Sequence, residues 1–291
     1  MASLKDLRRR IRATKSMQQI FKAMEMVAAA KLRRAQGRAV SARPYARGME
    51  EMLKNLAATL AAMQHPLTTV RPVQRRALIV FASNRGLAGS YNAQIIRFTE
   101  GLLRGPDGPT IRLVLIGKKL TDYFRRRAYP TLAIYGDLPD QANLEVAQRM
   151  TRQAIDWFTS GEVDAVDLVY SHFVSAMTRH TVRQSFLPIV GAAPAAGAPG
   201  KGAAPARDYI FEPDAATLVG RLLPRYVTTR MLQAFAESYA SEHSARMLAM
   251  GSARKNAGEL IDALVLKRNR LRQATITKEI SEIVGGAEAL K

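Results

Sequence analysis

Two long helical patterns, one at each end of the chain, constrain the fold more than any other feature of the sequence. The first covers residues 3–62, and the second begins after Pro213 and continues nearly to Lys291. At about 1.5 Å per residue, these helices would be roughly 90 Å and 110 Å long. A small domain is only about 30–40 Å across. We therefore expect most of both helices to project beyond the segment between them and to wind on each other as an antiparallel pair.

Apolar or small residues recur in the first pattern at spacings of three and four, as in the seam of a coiled coil. This seam comprises Leu4, Leu7, Ile11, Thr14, Met17, Phe21, Met24, Ala28, Leu32 and Ala35. The apolar positions of the second pattern include Leu218, Leu222, Tyr226, Leu232, Phe235, Tyr239, Leu248, Leu260, Leu264, Leu271, Ile280 and Ile283. Ser3 and Asp6 form a candidate capping box, and Pro224 predicts a kink. Residues 20–30 are apolar nearly all round, which predicts an enclosure larger than one partner helix.

The middle of the chain alternates short apolar runs rich in β-forming residues with helical segments. The predicted strands cover residues 77–83, 111–117, 132–135, 166–174 and 181–189, and the predicted helices cover residues 90–103, 119–127 and 144–159. This order predicts an α/β sheet with crossover connections, and the last two strands predict an antiparallel hairpin. The fold class is therefore a small Rossmann-like sheet domain, inserted between long N- and C-terminal helices that form an antiparallel coiled coil.

The predicted domains follow from this division of the chain. They are an N-terminal coiled-coil helix at residues 1–65, an α/β globular domain at residues 75–213 and a C-terminal coiled-coil helix at residues 214–291. Residues 191–206 contain only Gly, Ala, Pro and one Lys, which predicts a flexible loop because nothing there can bury apolar bulk. Residues 209–212 predict a last edge strand.

The charge of the chain indicates an anionic partner. There are 44 Lys and Arg residues against 24 Asp and Glu residues, a net charge of +20. Residues 1–48 contain thirteen basic and two acidic side chains, so more than half of the excess lies at one end. Nucleic acid, a lipid surface and an acidic protein all fit such a balance.

Several classes of protein and of site are disfavoured by what the sequence lacks. It has no run of about 18 apolar residues, which a membrane-spanning helix would need, and no apolar signal core at its start. It contains no cysteine, and its four histidines are scattered without ligand spacing. We therefore expect no disulfide, no metal site and no bound cofactor.

The best candidate for a ligand site is the loop Asn84–Gly89, which follows the first strand. Gly86 and Gly89 could approach a phosphate at a helix N-terminus. However, the loop lacks the three-glycine dinucleotide spacing, and no Gly-Lys-Ser/Thr motif occurs in the chain. Asp164 and Asp167 lie near a predicted strand start and are interpreted as solvated turn residues. Four isolated histidines form no nucleophile–base–orienter set.

Two classes of function compete with a structural role. A basic nucleic-acid-binding protein with helical arms fits the charge, but the first helix is apolar around residues 20–30 and no reading module is present. Tight, sequence-selective binding of DNA would favour this nucleic-acid interpretation. A small α/β enzyme with helical oligomerisation arms would have to turn over substrate alone, and no residues support that activity.

Three segments resemble the gamma subunit of F-type ATP synthases. The segment 270–289, RLRQATITKEISEIVGGAEA, matches the signature with Ile276, Thr277, Glu279, Glu282, Gly286 and Ala287 at the family spacing. The segment 14–31, TKSMQQIFKAMEMVAAAK, and Arg43-Pro-Tyr45 are also similar. The segment 83–89, SNRGLAG, differs from the family at Asn84, which is more often Asp, and at Ala88, which is often Cys. The chain resembles bacterial members, which lack the chloroplast regulatory insert.

The resemblance implies a function in ATP synthesis coupled to hydrogen ion transport. In this family the coiled coil is the central rotor shaft within a ring of three alpha and three beta subunits. The globular domain lies below it, with the epsilon subunit, on the membrane rotor ring. The resemblance therefore implies a non-catalytic subunit with no cofactor, no specific nucleic acid and no membrane span of its own. It also implies a peripheral location at the cytoplasmic face of the cell membrane, the inner membrane in a cell that has two.

The resemblance also implies contact residues. Met24, Met26 and Val27 would face the lower beta lever loops, although ordinary seam packing is the alternative. Arg272 and Gln273 would contact a beta loop, with a solvated helix face as the alternative. Ile276, Ile280 and Ile283 would form an apolar tip that turns in a collar, or would pack on the N-terminal helix. The remaining implied contacts are Lys31, Arg85 and Glu279.

Overall fold

A computed structural model describes residues 3–55, 65–136, 143–189 and 214–288. The predicted loop at residues 191–206 and the predicted strand at residues 209–212 lie outside these ranges, as do residues 56–62 of the first predicted helix.

Two long helices flank an alternating set of strands and shorter helices. In chain order the elements are α1 (Leu4–Asn55), β1 (Arg76–Phe81), α2 (Tyr91–Arg104), β2 (Ile111–Ile116), α3 (Lys118–Phe124), β3 (Thr131–Tyr135), α4 (Leu144–Thr159), β4 (Ala165–Phe173), β5 (Arg179–Leu187) and α5 (Ala215–Glu288). The predicted order of elements is therefore confirmed. Helix α5 continues through Pro224, and the predicted kink stays a prediction.

The chain divides into two compact units. One contains Met1–Ala29 and Arg246–Lys291 and is called the helical unit here; the other contains Ala30–Ala245 and is called the sheet unit. The domain boundaries predicted from the sequence stay a prediction.

Within the helical unit, α1 and α5 run antiparallel. Arg254 Nε lies 2.9 Å from Glu25 Oε2, and a Cβ added at Gly258 would lie 3.1 Å from Gln18 Nε2. Residue numbers thus rise along one helix as they fall along the other, as predicted. The buried seam residues are Leu7, Ile11, Thr14 and Ala28 from α1, and Met250, Ala257 and Ile261 from α5. Met17 was predicted in the seam but is 46% exposed.

A capping box starts α1. The backbone N–H of Asp6 donates to Ser3 Oγ at 3.1 Å, and the N–H of Ser3 lies 3.3 Å from Asp6 Oδ2. These reciprocal bonds satisfy donors that the first turn leaves unpaired. Hydrogen bonds from Ser3 lower the pKa of the Asp6 carboxyl.

The sheet unit is built on a five-stranded sheet with the order β3-β2-β1-β4-β5. Strands β1 to β4 are parallel, and β5 pairs with β4 in the antiparallel sense. Alternate residues of β1 face opposite sides. Ala77, Ile79 and Phe81 belong to a core with α4 and α5, and Leu78 and Val80 to a core with α2 and α3. The Rossmann-like prediction is confirmed.

Helix α5 lies over the C-terminal end of β4. Ser241 Oγ donates to Ser171 O at 2.9 Å, and the buried Tyr91 of α2 donates from Oη to Ser238 O at 3.2 Å. The sheet reverses its strand order between β1 and β4, and in open α/β sheets a ligand binds outside the carboxyl ends of the strands at such a point. Here a helix of the same chain packs there.

Asp164 and Asp167 are not solvated turn residues, so that interpretation is wrong. Asp164 Oδ2 accepts the backbone N–H groups of Gln74 and Arg75 at 3.0 Å and 2.9 Å. Asp167 lies inside β4 with its side chain only 3% exposed. Its Oδ2 is 2.8 Å from Arg76 Nη1 and 2.7 Å from Arg183 Nε. Cations from both neighbouring strands stabilise this buried charge, which strand periodicity cannot reveal.

Replacing Tyr170 with phenylalanine is expected to weaken the dependence of stability on alkaline pH. Burial, followed by the charge of Glu237, raises the pKa of the Tyr170 hydroxyl to about 12. The unfolded group ionises near pH 10, so its contribution is complete below about pH 10 and is lost as the pH rises towards 12. Urea unfolding, followed by the fluorescence of Trp157, should show a loss over this interval that is smaller by about 2 kcal/mol in Tyr170→Phe.

The matched control is Tyr129→Phe, which removes the hydroxyl of a half-buried tyrosine elsewhere in the sheet unit. Trp157 is the single tryptophan of the chain and packs against the core of the sheet unit, so its fluorescence reports on that unit. Equal slopes for Tyr170→Phe and the wild type would contradict the assignment.

Candidate interaction surfaces

The surface of α1 in the helical unit carries large apolar side chains. Met26 is 59% exposed and Val27 is 56% exposed, and Ile20 is also exposed. Met24 is half-buried. The seam interpretation therefore fails for Met26 and Val27, whose side chains remain available for a partner. Their contact with another subunit stays a prediction.

The last turns of α5 form a second apolar surface. Every residue from 276 to 285 is exposed, including Ile276 at 47% and Ile283 at 72%. Ile276, Ile280 and Ile283 follow one another at spacings of four and three, so they share one face of the helix. The N-terminal helix therefore leaves these three side chains largely exposed. A solvated helix with such a face indicates a binding surface.

Polar predicted residues lie on the same part of α5. Arg272, Gln273 and Glu279 are all exposed, and Arg272, Ile276, Glu279 and Ile283 recur at helical spacing along one side. Lys278 and Glu282 form an exposed pair at 3.5 Å. The structure thus brings six of the predicted residues together on one helix segment.

The loop after β1 presents the predicted Arg85. Ser83 is buried, its N–H donates to Asn92 Oδ1 at 3.1 Å, and its Oγ lies 2.6 Å from Arg85 O. Lys118 N donates to Asn84 Oδ1 at 3.1 Å. These bonds fix the backbone and leave the Arg85 side chain exposed.

Leu87 was not anticipated as a surface feature. It has a φ of 63° and is 60% exposed. A leucine in the left-handed region is strained, and such strain clusters at functional sites. Nothing in the residue type signals this conformation, so the sequence could not have identified it.

Gly117 holds the neighbouring loop between β2 and α3 against the same segment. Its φ is 100°, and an added Cβ would lie 2.3 Å from Ala82 O. Only glycine permits both this conformation and this close approach.

The predicted contact residues are therefore distributed over two regions. Met24, Met26, Val27 and the α5 residues belong to the helical unit, whereas Lys31 and Arg85 belong to the sheet unit. Lys31 is half-buried. Over the described ranges, no group of three or more His, Asp or Glu side chains could hold a metal ion. No helix within those ranges is long and apolar enough to cross a membrane.

The family model described as ATP synthase matches residues 3–290. Among curated proteins, the ATP synthase gamma chain of Desulfitobacterium hafniense is 45% identical over 291 residues, covering 100% of both chains. The ATP synthase gamma chain of Desulforamulus reducens is 46% identical over 291 residues, again covering 100% of both chains.

Two solved structures share the fold at low sequence identity. One is a chain of the central stalk and c-ring of the Tetrahymena thermophila mitochondrial ATP synthase, with a TM-score of 0.60 and 22% identity, which covers 80% of this chain and 99% of that chain. The other is from the Euglena gracilis mitochondrial ATP synthase in an OSCP/F1/c-ring assembly. Its TM-score is 0.66 at 17% identity, and it covers 99% of this chain and 94% of that chain.

Proposed function

Because the chain belongs to the gamma-chain family of ATP synthases, we propose that it is the central rotor shaft of an F-type ATP synthase. It couples ion-driven rotation of the membrane ring to conformational cycling of the alpha/beta catalytic ring. The match to gamma chains along all 291 residues carries this proposal. Its partners are the alpha and beta subunits, three of each, the epsilon subunit and the membrane rotor ring.

The helical unit supports the coupling role. Three chemically identical catalytic sites around one asymmetric shaft cannot all be in the same state. A shaft shifts their equilibria only if its contact energy differs between the states. The α1 surface at Met26 and Val27 differs in chemistry from the α5 surface at Arg272 and Gln273, so each orientation offers the ring a different set of contacts.

The apolar tip supports rotation. Apolar contacts are non-directional, so Ile276, Ile280 and Ile283 can slide in a collar without breaking directional bonds. Cations such as Arg272 and Arg85 supply orientation-dependent attraction to acidic beta loops. These roles extend the contacts implied by the resemblance.

We propose that the chain is non-catalytic and binds no cofactor. The crevice where a Rossmann-like sheet would take a nucleotide is covered by α5, through Ser241 and the bond from Tyr91 to Ser238. The sequence also has no Gly-Lys-Ser/Thr phosphate loop. The chain acts peripherally at the cytoplasmic face of the cell membrane, held there by the rotor ring.

The isolated chain is expected to hydrolyse no ATP but to be required for coupled synthesis. A tagged chain should recover alpha, beta and epsilon on co-purification, and ATP synthesis should return when it is added to an alpha–beta ring and membrane rotor that lack it. Recovery of the chain without alpha and beta would contradict the shaft role. ATP turnover by the pure chain, after removal of trace alpha and beta, would contradict its non-catalytic character.

A further inference from the structure

The outer face of α2 and α3, with the turn after α3, is strongly basic and is called the basic face here. The two helices bury Tyr91, Ile95, Leu120 and Phe124 against the sheet. Seven cationic side chains lie on the basic face or at its ends: Arg97, Arg104, Lys118, Lys119, Arg125, Arg126 and Arg127. Glu100 and Asp122 are its two acidic side chains, so the net charge is +5.

Helix α4, on the other side of the sheet, shows that this excess is local. Helix α4 packs in the other core, and its charged residues are Glu145, Arg149, Arg152 and Asp156, a net charge of zero. The basic face and α4 belong to one chain of net charge +20, yet their local charges differ.

Part of the basic face is organised by a half-buried carboxylate. The Glu100 side chain is 15% exposed and accepts a hydrogen bond from Tyr123 Oη at 2.7 Å. Arg104 Nη2 lies 3.7 Å and Arg127 Nε lies 3.9 Å from its two oxygens. The guanidinium of Arg127 stacks 3.6 Å above the Tyr123 ring. These contacts order the side chains of Arg104 and Arg127 before any anion binds, which lowers the entropy cost of binding one.

Arg125 and Arg126 extend the basic face. Both are exposed, and neither forms an ion pair with any residue in the described ranges. Five of the seven cations are arginines, whose planar guanidinium pairs with carboxylate or phosphate through two parallel bonds.

The helices favour a protein over a lipid bilayer as the partner. No large apolar side chain of α2 or α3 is among the exposed ones, so the basic face has nothing to insert between lipids. Its Tyr123 and arginine content matches the residues enriched in protein interfaces.

We propose that the basic face docks an acidic surface of a partner protein, whose carboxylates pair with Arg104, Arg125 and Arg126. That this partner belongs to the same assembled complex rests on the proposed function. None of these arginines belongs to the contact set implied by the family resemblance.

Carbodiimide cross-linking of the purified complex tests the proposal, because the reagent joins a lysine amine to a carboxylate in direct contact. Lys118 and Lys119 are native reporters on the basic face, and R125K/R126K adds reporters at the inferred contact. We expect adducts to carboxylates of one protein of the complex. The control R149K/R152K, on the neutral α4 face, should form at least about ten-fold fewer adducts with that protein.

Charge reversal adds a second measurement. R125E/R126E and R149E/R152E change the net charge equally, and we expect only the first to reduce the Lys118 and Lys119 adducts, by about ten-fold or more. Both variants should unfold at the wild-type urea concentration by Trp157 fluorescence, so a change in adducts cannot come from loss of the fold.

Three results would overturn the proposal. One is co-purification of alpha and beta with the chain but no adduct from the basic face, a result that leaves the shaft function intact. If neither subunit co-purifies with the chain, both proposals are contradicted. Another is an adduct yield that R125E/R126E does not change. The third is selective loss, in R125E/R126E, of binding to phosphatidylcholine–phosphatidylglycerol vesicles or duplex DNA without any protein adduct, which would assign the basic face to phosphates.

Discussion

Replacing Asp167 with asparagine is expected to lower the free energy of unfolding of the sheet unit by about 3 kcal/mol. The substitution keeps the volume but removes the negative charge that Arg76 and Arg183 share, since both bond to the same carboxylate oxygen, at 2.8 Å and 2.7 Å. Arg183 keeps a longer contact of 3.5 Å with Asp107, whose side chain is 53% exposed. Removing one partner of a buried ion pair costs about 3–5 kcal/mol. The arginine side chains are 18% and 25% exposed, so water offsets part of the loss and the lower end applies.

Urea unfolding followed by Trp157 fluorescence measures this loss in the unit that contains the ion cluster. Asp156→Asn on the exposed side of α4 is the control and should change stability by no more than about 0.5 kcal/mol. The triple variant Arg76→Met, Asp167→Leu, Arg183→Met should recover most of the stability, because apolar residues can replace a buried ion cluster without cost. An unfolding midpoint for Asp167→Asn equal to that of the wild type would show that water and Asp107, not Asp167, compensate the charges of the arginines.

Local signals in the sequence predicted the elements that depend on them. The predicted helix at residues 144–159 has the observed bounds because Asn143 caps it, accepting from Glu145 N at 2.9 Å, and Gly161 follows with a φ of 76°. Helix α3 was predicted to reach Arg127 but ends at Phe124, and Ala128 nearby has a φ of 49°. Arginine has high helix propensity, so composition alone could not place that end.

Tertiary contacts account for the rest. The buried charge of Asp167 is stabilised within a strand because Arg76 and Arg183 lie on the two neighbouring strands. A short segment of sequence does not show which strands are neighbours. Periodicity also assigned Met17 to the seam of α1, yet its side chain is 46% exposed. Apolar spacing identifies the face of a helix but not what covers it. The contact residues were predicted from the family resemblance, because periodicity does not identify a partner.

Replacing both Arg272 and Gln273 with alanine is expected to slow ATP synthesis and hydrolysis of the assembled complex by about ten-fold while leaving folding intact. Both side chains are exposed in α5, and alanine has the highest helix propensity, so the local helix should persist. If the two side chains bond a beta loop in one rotary state, each lost charge-assisted bond removes about 1.5–3 kcal/mol from that state. A change of about 1.4 kcal/mol already alters a population ten-fold.

The measurement is synthesis and hydrolysis by a reconstituted complex, with circular dichroism and subunit stoichiometry for the variant. Lys255→Ala with Asn256→Ala is the matched control, since it also removes one cation and one amide from adjacent exposed positions of α5. Loss of turnover only in the Arg272 and Gln273 variant would identify a site-specific contact, whereas equal losses would indicate a general effect of helix charge. Normal turnover in a normally assembled Arg272 and Gln273 variant would mean that these side chains meet only water. The shaft would then act through its apolar surfaces.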